Sequence, residues 1–346
     1  MELDVLVNLQ SDNTYRLVEL SPELQSLLEE NNESLYIKAS TEENDIVLCS
    51  ETQTFQLKQR NHSNTVLLMK YLGLGDNTLQ SYSLQSNVFE IKPIKGTISP
   101  INIPIYDGQG NFIKNGNNIT VQYLKDNSPI STNEFDKVWF ELNGSQLNDR
   151  AIILSRDFIN KSLHLLIMSI MAANLDINEL SLIEVYKTLS EDDDYSIDIV
   201  ETILRKYSNE DSEPFSLNKI KIAQWYGIES LKKFASNDKL ISPSEFLIKW
   251  KSEFPPFFDI SIDLPLLKGY YVKPLPDRIK YMPWDKLSKD INERLNTLFK
   301  NQSTWELDDL IPYIQEFNTK NLKFENFIMK FAKKKKIGKK IIITSR

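Results

Sequence analysis

Residues 151–175 read AIILSRDFINKSLHLLIMSIMAANL. The run Ala151–Leu154 is short, apolar and bounded by polar residues, which reads as a strand. A long helix follows from near Phe158, because Ile159, Leu163, Leu166, Ile167 and Ile170 recur at the spacing that lines one helical face. The same rhythm returns along the chain: two or three amphipathic helices, a short β-like stretch, then a long helix. Further β-like stretches are expected at Pro214–Leu217, at Tyr270–Lys273 with Ile279–Met282, and at Lys340–Thr344. Further long helices are expected from near Asn218, where Ile222, Trp225, Ile228 and Leu231 share a face, and from near Lys286. Such a rhythm fits tandem winged-helix units. It fits an irregular helical domain as well, and periodicity does not separate the two.

Upstream the period shortens. Residues 14–92 read as mostly strand, in the runs Tyr15–Leu20, Ser34–Lys38, Ile46–Cys49, Thr54–Lys58, Thr65–Leu72 and Asn87–Lys92. Ser21 caps a short helix that has Pro22 in its first turn. Several short strands in succession suggest a small barrel or sheet, and open edges would pair with other chains. Between these regions residues 93–119 lose periodicity and collect Pro93, Pro100, Pro104, Gly108, Gly110 and Gly116, a composition that marks a linker or loose crossover. The expected organisation is α+β. A partial β-barrel occupies residues 1–96 and a linker 97–111. Three helical units follow at 112–216, 217–284 and 285–346.

Composition narrows the chemistry. Among 346 residues there is one cysteine, Cys49, and there are two histidines, His62 and His164. An internal disulfide framework and a cysteine-based zinc site are excluded, and no nucleophile–base–orienter set can be assembled. Neither a GxxxxGK[ST] nor a GxGxxG pattern occurs, so no phosphate-cradling loop is expected. The expectation is therefore no catalytic residue, no metal and no cofactor. Glu191–Asp194 reads as a solvated loop, and Asp308 and Asp309 as first-turn acids of a helix opened by Thr304. Cys49 and both histidines read as packing residues. The cluster Ser252–Phe258 (SEFPPFF) reads as a tight turn packing aromatics on a core, with an exposed docking edge as the other reading. The N-terminus has neither the basic nor the apolar segment of a signal peptide, and no apolar run spans a membrane; a cytosolic or nuclear chain is expected.

Charge is uneven. The net charge of −7 is distributed as −7 over residues 1–96, −6 over 97–284 and +6 over 285–346. The last stretch, Lys330 to Arg346, carries eight positive charges and no negative one. Phe324, Phe327, Ile328 and Phe331 define the buried face of a last helix, with Lys330 and Lys333 outward. Lys334–Lys336 and Lys339–Lys340 then form a turn and wing leading into a strand, and Arg346 ends the chain. Lys330, Lys333, Lys334, Lys335, Lys336, Lys339, Lys340 and Arg346 are the candidate DNA-binding residues. They would grip phosphate rather than read base edges, so binding would not depend on sequence. A solvated basic end or a nuclear import signal is the other reading.

Four stretches, Ile46–Met69 (IVLCSETQTFQLKQRNHSNTVLLM), Phe158–Leu175, Ile222–Leu231 and Ser244–Phe258, together with the end Trp305–Arg346, resemble the DCC family, "defective in sister chromatid cohesion", especially its yeast-type members. The resemblance implies a non-catalytic subunit of an alternative replication factor C clamp loader for PCNA, of the chromosome-transmission-fidelity type, in the nucleus. It implies an N-terminal partial barrel completed by the small and large chromosome-transmission-fidelity subunits. It also implies a winged-helix array that binds DNA and the catalytic subunit of DNA polymerase epsilon, the latter through the first unit. A winged-helix transcription-associated factor with a β-barrel dimerisation module is the rival reading.

Overall fold

A computed structural model describes residues 4–7, 14–31, 33–39, 46–71, 78–108, 110–114, 116–189, 195–210, 212–236, 239–319 and 322–346. Chain packing defines two units, one of residues 1–159 with 192–206, the other of 160–191 with 207–346.

The first unit opens with β1 (Asp4–Leu6), β2 (Val18–Glu19), α1 (Pro22–Ser26), β3 (Tyr36–Ala39), β4 (Ile46–Cys49), β5 (Thr54–Tyr71) and β6 (Thr78–Ile94). Ser21 caps α1 by accepting the Leu24 N–H, as expected. The strands form one sheet in the order β1-β6-β5-β4-β3, with β2 also on β6. Among the described residues it is a sheet with two ends and does not close into a barrel. β5 and β6 form an antiparallel hairpin running from Thr54 opposite Ile94 to Tyr71 opposite Leu79. The two strands expected at Thr54–Lys58 and Thr65–Leu72 are thus one. Of the polar residues between them, which read as a turn, Gln59–Asn61 stay in the ladder, while 62–65 bulge out of it and pairing with β6 resumes at Val66 in a shifted register. Leu72 lies outside the described residues.

Phe55 is fully buried with Leu24 and Ile91 in a small core on one face of this sheet. Thr54, its neighbour and therefore on the opposite face, donates to Glu134 at 2.5 Å and accepts the Ser131 N–H at 2.8 Å. Lys38 donates to the main-chain oxygens of Lys125 and Ile130. Residues 97–111, expected as a linker, contribute Ile98 and Ile103 to a second core with Leu124, Ile130, Phe135 and Trp139. Their Pro and Gly content sets backbone direction there, while the two isoleucines supply the packing.

That second core lies under α2 (Val121–Asn127) and α3 (Thr132–Glu141). It also meets a sheet ordered β8-β7-β10-β9, from β7 (Ile105–Tyr106), β8 (Phe112–Lys114), β9 (Gly144–Leu147) and β10 (Arg150–Leu154). A Cβ built on Gly144 would lie 2.1 Å from the buried Trp139 ring. Gly144→Ala should therefore overpack this core and cost about 1–3 kcal/mol, read as a lowered Tm in a thermal melt.

From α4 (Arg156–Ala172) onward one element order occurs three times: helix, short strand, helix, helix, hairpin. The first copy runs through α4, Leu180, α5 (Leu182–Leu189), α6 (Ile197–Tyr207), Ser208 and Phe215–Leu217, with bridges Leu180–Phe215 and Ser208–Leu217. The second runs through α7 (Lys219–Phe234), Ile241, α8 (Pro243–Ser252), a 3₁₀ turn at Leu264–Leu267, β11 (Tyr271–Leu275) and β12 (Arg278–Tyr281). Ile241 bridges Ile279. The third runs through α9 (Ile291–Asn301), β13 (Thr304–Glu306), α10 (Leu307–Ile314), α11 (Phe324–Ile328), β14 (Lys333–Ile337) and β15 (Lys340–Thr344). In every copy the first strand pairs with the last. Side chains start several of these helices: Asn218, Ser242 and Asp290 each accept a main-chain N–H of the first turn, which satisfies a donor that has no partner inside the helix. The acids Glu191–Asp194 lie outside the described residues.

Candidate nucleic-acid interface

The C-terminal sheet is ordered β13-β15-β14. It closes over Trp305, Leu310, Tyr313, Ile314, Phe327, Ile328 and Ile343, all buried. Phe324 and Phe331 pack against the same cluster, so the apolar stripe read from the sequence is the one that is buried.

The lysines sit differently from expectation. α11 ends at Ile328, so Lys330 lies in a turn and Lys333 starts β14. Helix propensity loses here to a hairpin ladder: Lys333–Ile337 pairs with Thr344–Lys340, the strand that seats Ile343 in the core. Ile337 pairs with Lys340 across a two-residue loop whose first member, Gly338, has φ +61, the backbone that such hairpins need. Thr304, expected to open a helix, belongs to β13 and pairs with Thr344. Asp308 and Asp309 still fall in the first turn of α10, and Asp309 is held by Lys268 at 2.8 Å.

Every residue of β14 is exposed. Its register separates the lysines by face. Lys334 stands opposite Ile343 and Lys336 opposite Ile341, on the core side; Lys333 and Lys335 stand opposite Thr344 and Ile342, on the outer side. Two of the eight cations are matched locally. Lys334 binds Glu325 at 2.8 Å, and the bond and charge of that ammonium hold the Glu325 carboxyl below its ordinary pKa. Lys340 binds Glu306 at 2.5 Å, which raises the pKa of the lysine. Arg346 donates to the Met329 oxygen at 2.7 Å. Lys330, Lys333, Lys335, Lys336 and Lys339 are exposed and make no ion pair among the described residues.

Sequence reasoning missed Glu306 and Glu325. One is a residue of β13 beside β15, the other a first-turn residue of α11, and only the folded register brings either to a lysine. Elsewhere, His62 is exposed on β5 and His164 half-buried on α4. Cys49 is buried in β4, and burial pushes its thiol pKa up, as for a packing residue. Among the described residues no three His, Cys, Asp or Glu side chains are grouped to hold a metal ion. No described helix is long and apolar enough to cross a membrane.

A family model described as "Sister chromatid cohesion protein Dcc1" matches residues 15–314. The chain belongs to the Dcc1 family of sister chromatid cohesion proteins. It is 35% identical to the sister chromatid cohesion protein DCC1 of Saccharomyces cerevisiae, covering 98% of this chain and all of the yeast protein. It is 22% identical to the probable sister chromatid cohesion protein DCC1 of Dictyostelium discoideum, over 96% of this chain and 94% of that one. Identity to the human protein of the same name is 24%, over 87% and 80%. The Dcc1 family match ends at Ile314, before the basic hairpin β14–β15.

Proposed function

We propose that this Dcc1-family chain is a non-catalytic adaptor of sister chromatid cohesion, a subunit of an alternative replication factor C clamp loader for PCNA that works in the nucleus. In this reading the N-terminal sheet accepts strands from the small and large chromosome-transmission-fidelity subunits. The three repeats are winged helices that meet the catalytic subunit of DNA polymerase epsilon and DNA, and the C-terminal hairpin grips phosphate.

The observation that carries the reading is the edge of β5. β4 pairs with β5 only as far as Gln56. From Leu57 to Tyr71 no described strand lies on that side, while β6 pairs with the other along Leu57–Asn61 and Val66–Tyr71, on either side of a bulge at 62–65. An uncovered edge of this length is a template for a partner's strand. Val66, Met69 and Tyr71 on it are exposed, as are Tyr36 and Ile37 at the β3 end. Membership in a family of sister chromatid cohesion proteins is compatible with this reading. Moderate contacts on one chain raise one another's effective concentration and combine into useful avidity.

The winged-helix reading rests on the repeated order helix, strand, helix, helix, hairpin with first and last strands paired. The DNA reading rests on five exposed lysines without carboxylate partners at one end of an otherwise acidic chain. If so, the two local carboxylates restrain binding. Glu306→Gln with Glu325→Gln should release Lys340 and Lys334 to phosphate and steepen the salt dependence by up to about 1.8 in log–log slope, from about 0.9 per contact. Fluorescence anisotropy on unrelated duplexes reads this directly. The assembly is tested by purifying the full chain from its cells with mass spectrometry of what accompanies it. Clamp-loader subunits and polymerase epsilon are expected. RNA polymerase subunits in their place would favour the transcription-factor reading.

A further inference from the structure

The aromatic cluster between α8 and β11 divides its rings. Phe254 and Phe258 are buried, whereas Phe257 between them is 95% exposed. Phe257 also has φ +66, a left-handed backbone that is costly for a residue with a large side chain. The chain on either side leaves it little choice. The Phe254 ring packs 4.8 Å from Tyr226, and the Phe258 N–H donates to the Pro255 oxygen at 3.3 Å. Lys219 sits over the Phe258 ring and donates to the Asp259 oxygen, while Lys251 donates to the Ile260 oxygen at 2.7 Å. A rigid loop therefore holds an entire aromatic ring in solvent, at a position where glycine would fit with less strain.

We propose that Phe257 is a preformed anchor for a partner protein, entering an apolar pocket rimmed by lysine or arginine. A ring fixed before binding loses little freedom on docking, and buried aromatic anchors dominate interface energetics. The charge of the rim follows from the loop. Residues 252–263 contain Glu253, Asp259 and Asp263 and no basic residue. Glu253 is held by Lys233, but Asp259 and Asp263 are exposed and make no ion pair among the described residues. Lys219 and Lys251, which reach this loop, are held against its main-chain oxygens. Exposed carboxylates on the same loop as the ring disfavour phosphate and favour a basic rim.

The test places a photocrosslinking benzoylphenylalanine at position 257 of the full chain in its cells. It is followed by affinity measurements on the purified pair. Crosslinks should converge on one site of another protein, bordered by basic residues. Phe257→Gly should weaken that pair at least tenfold while raising the Tm of the full chain, because the strain is relieved. Asp259→Asn with Asp263→Asn should weaken it less, and in a salt-dependent way. Crosslinks to DNA or to a second copy of the chain, crosslinks that are diffuse or absent, or unchanged affinity in Phe257→Gly would each overturn the proposal. A lowered Tm in Phe257→Gly would do so too, by making the ring a structural element.

Discussion

Replacing Arg294 by methionine should cost the C-terminal repeat about 3 kcal/mol or more, despite the similar length of the new side chain. Arg294 is 2% exposed and sits at the centre of the repeat. Its guanidinium donates to the main-chain oxygens of Ser288 and Tyr313 at 2.8 Å each, pairs with Glu316 at 2.6 Å and lies 4.8 Å from the Phe317 ring. Methionine keeps the apolar contacts but leaves those oxygens without donors. Glu316 is 42% exposed and rehydrates, which holds the loss toward the lower end of the range for a broken buried pair. The damage should spread through Tyr313. Its single hydroxyl hydrogen is shared between the oxygens of Tyr271 at 2.7 Å and Met282 at 3.0 Å, and burial raises its pKa well above the ordinary value. Lysine at 294 keeps the charge but not the planar fork, and should recover only part of the loss. Hydrogen exchange of the β14–β15 ladder resolves the effect from unfolding of the other unit.

Changing Lys330, Lys333, Lys335, Lys336 and Lys339 together to alanine should remove most DNA binding by the full chain. If each meets one phosphate, the log–log salt slope falls by about 3.5 to 4.5, from about 0.7 to 0.9 per contact. All five are exposed, so the fold and its protein contacts should be preserved. The loss should be equal on unrelated duplexes, because phosphate contacts carry no sequence information. Anisotropy titrations at several salt concentrations give both numbers. An unchanged slope would leave the hairpin as a solvated end or an import signal.

Features that depend on neighbouring residues were legible in the sequence. Ile46–Cys49, the Ser21 cap, the long helix from near Asn218 and the strand Lys340–Thr344 follow from alternation, capping chemistry and one-faced apolar spacing. Features decided by strand pairing were not. Lys333 has local helical spacing yet joins β14, the outer strand of a hairpin whose other strand, β15, carries the buried Ile343. Thr304 resembles a helix cap, but its pairing with Thr344 draws it into a sheet. The eight basic residues of the tail were visible as a charge run. That two of them are matched by Glu306 and Glu325 follows from register alone. In Ser252–Phe258, Phe254 and Phe258 pack as the tight-turn reading expects while Phe257 is exposed, and spacing cannot assign rings that are so close in sequence.

The central claim, that the edge of β5 receives a partner's strand, is tested most directly by amide hydrogen exchange across residues 57–71 in the free and the assembled protein. In the free chain the amides directed away from β6 should exchange quickly, alternating with slower ones bonded to β6 in the two paired segments, 57–61 and 66–71, on either side of the bulge at 62–65. On assembly the fast set should slow by on the order of a hundredfold or more, as a new ladder covers it. Fast exchange of the same amides in the assembled protein, or slow exchange of all of them in the free chain, would contradict the account.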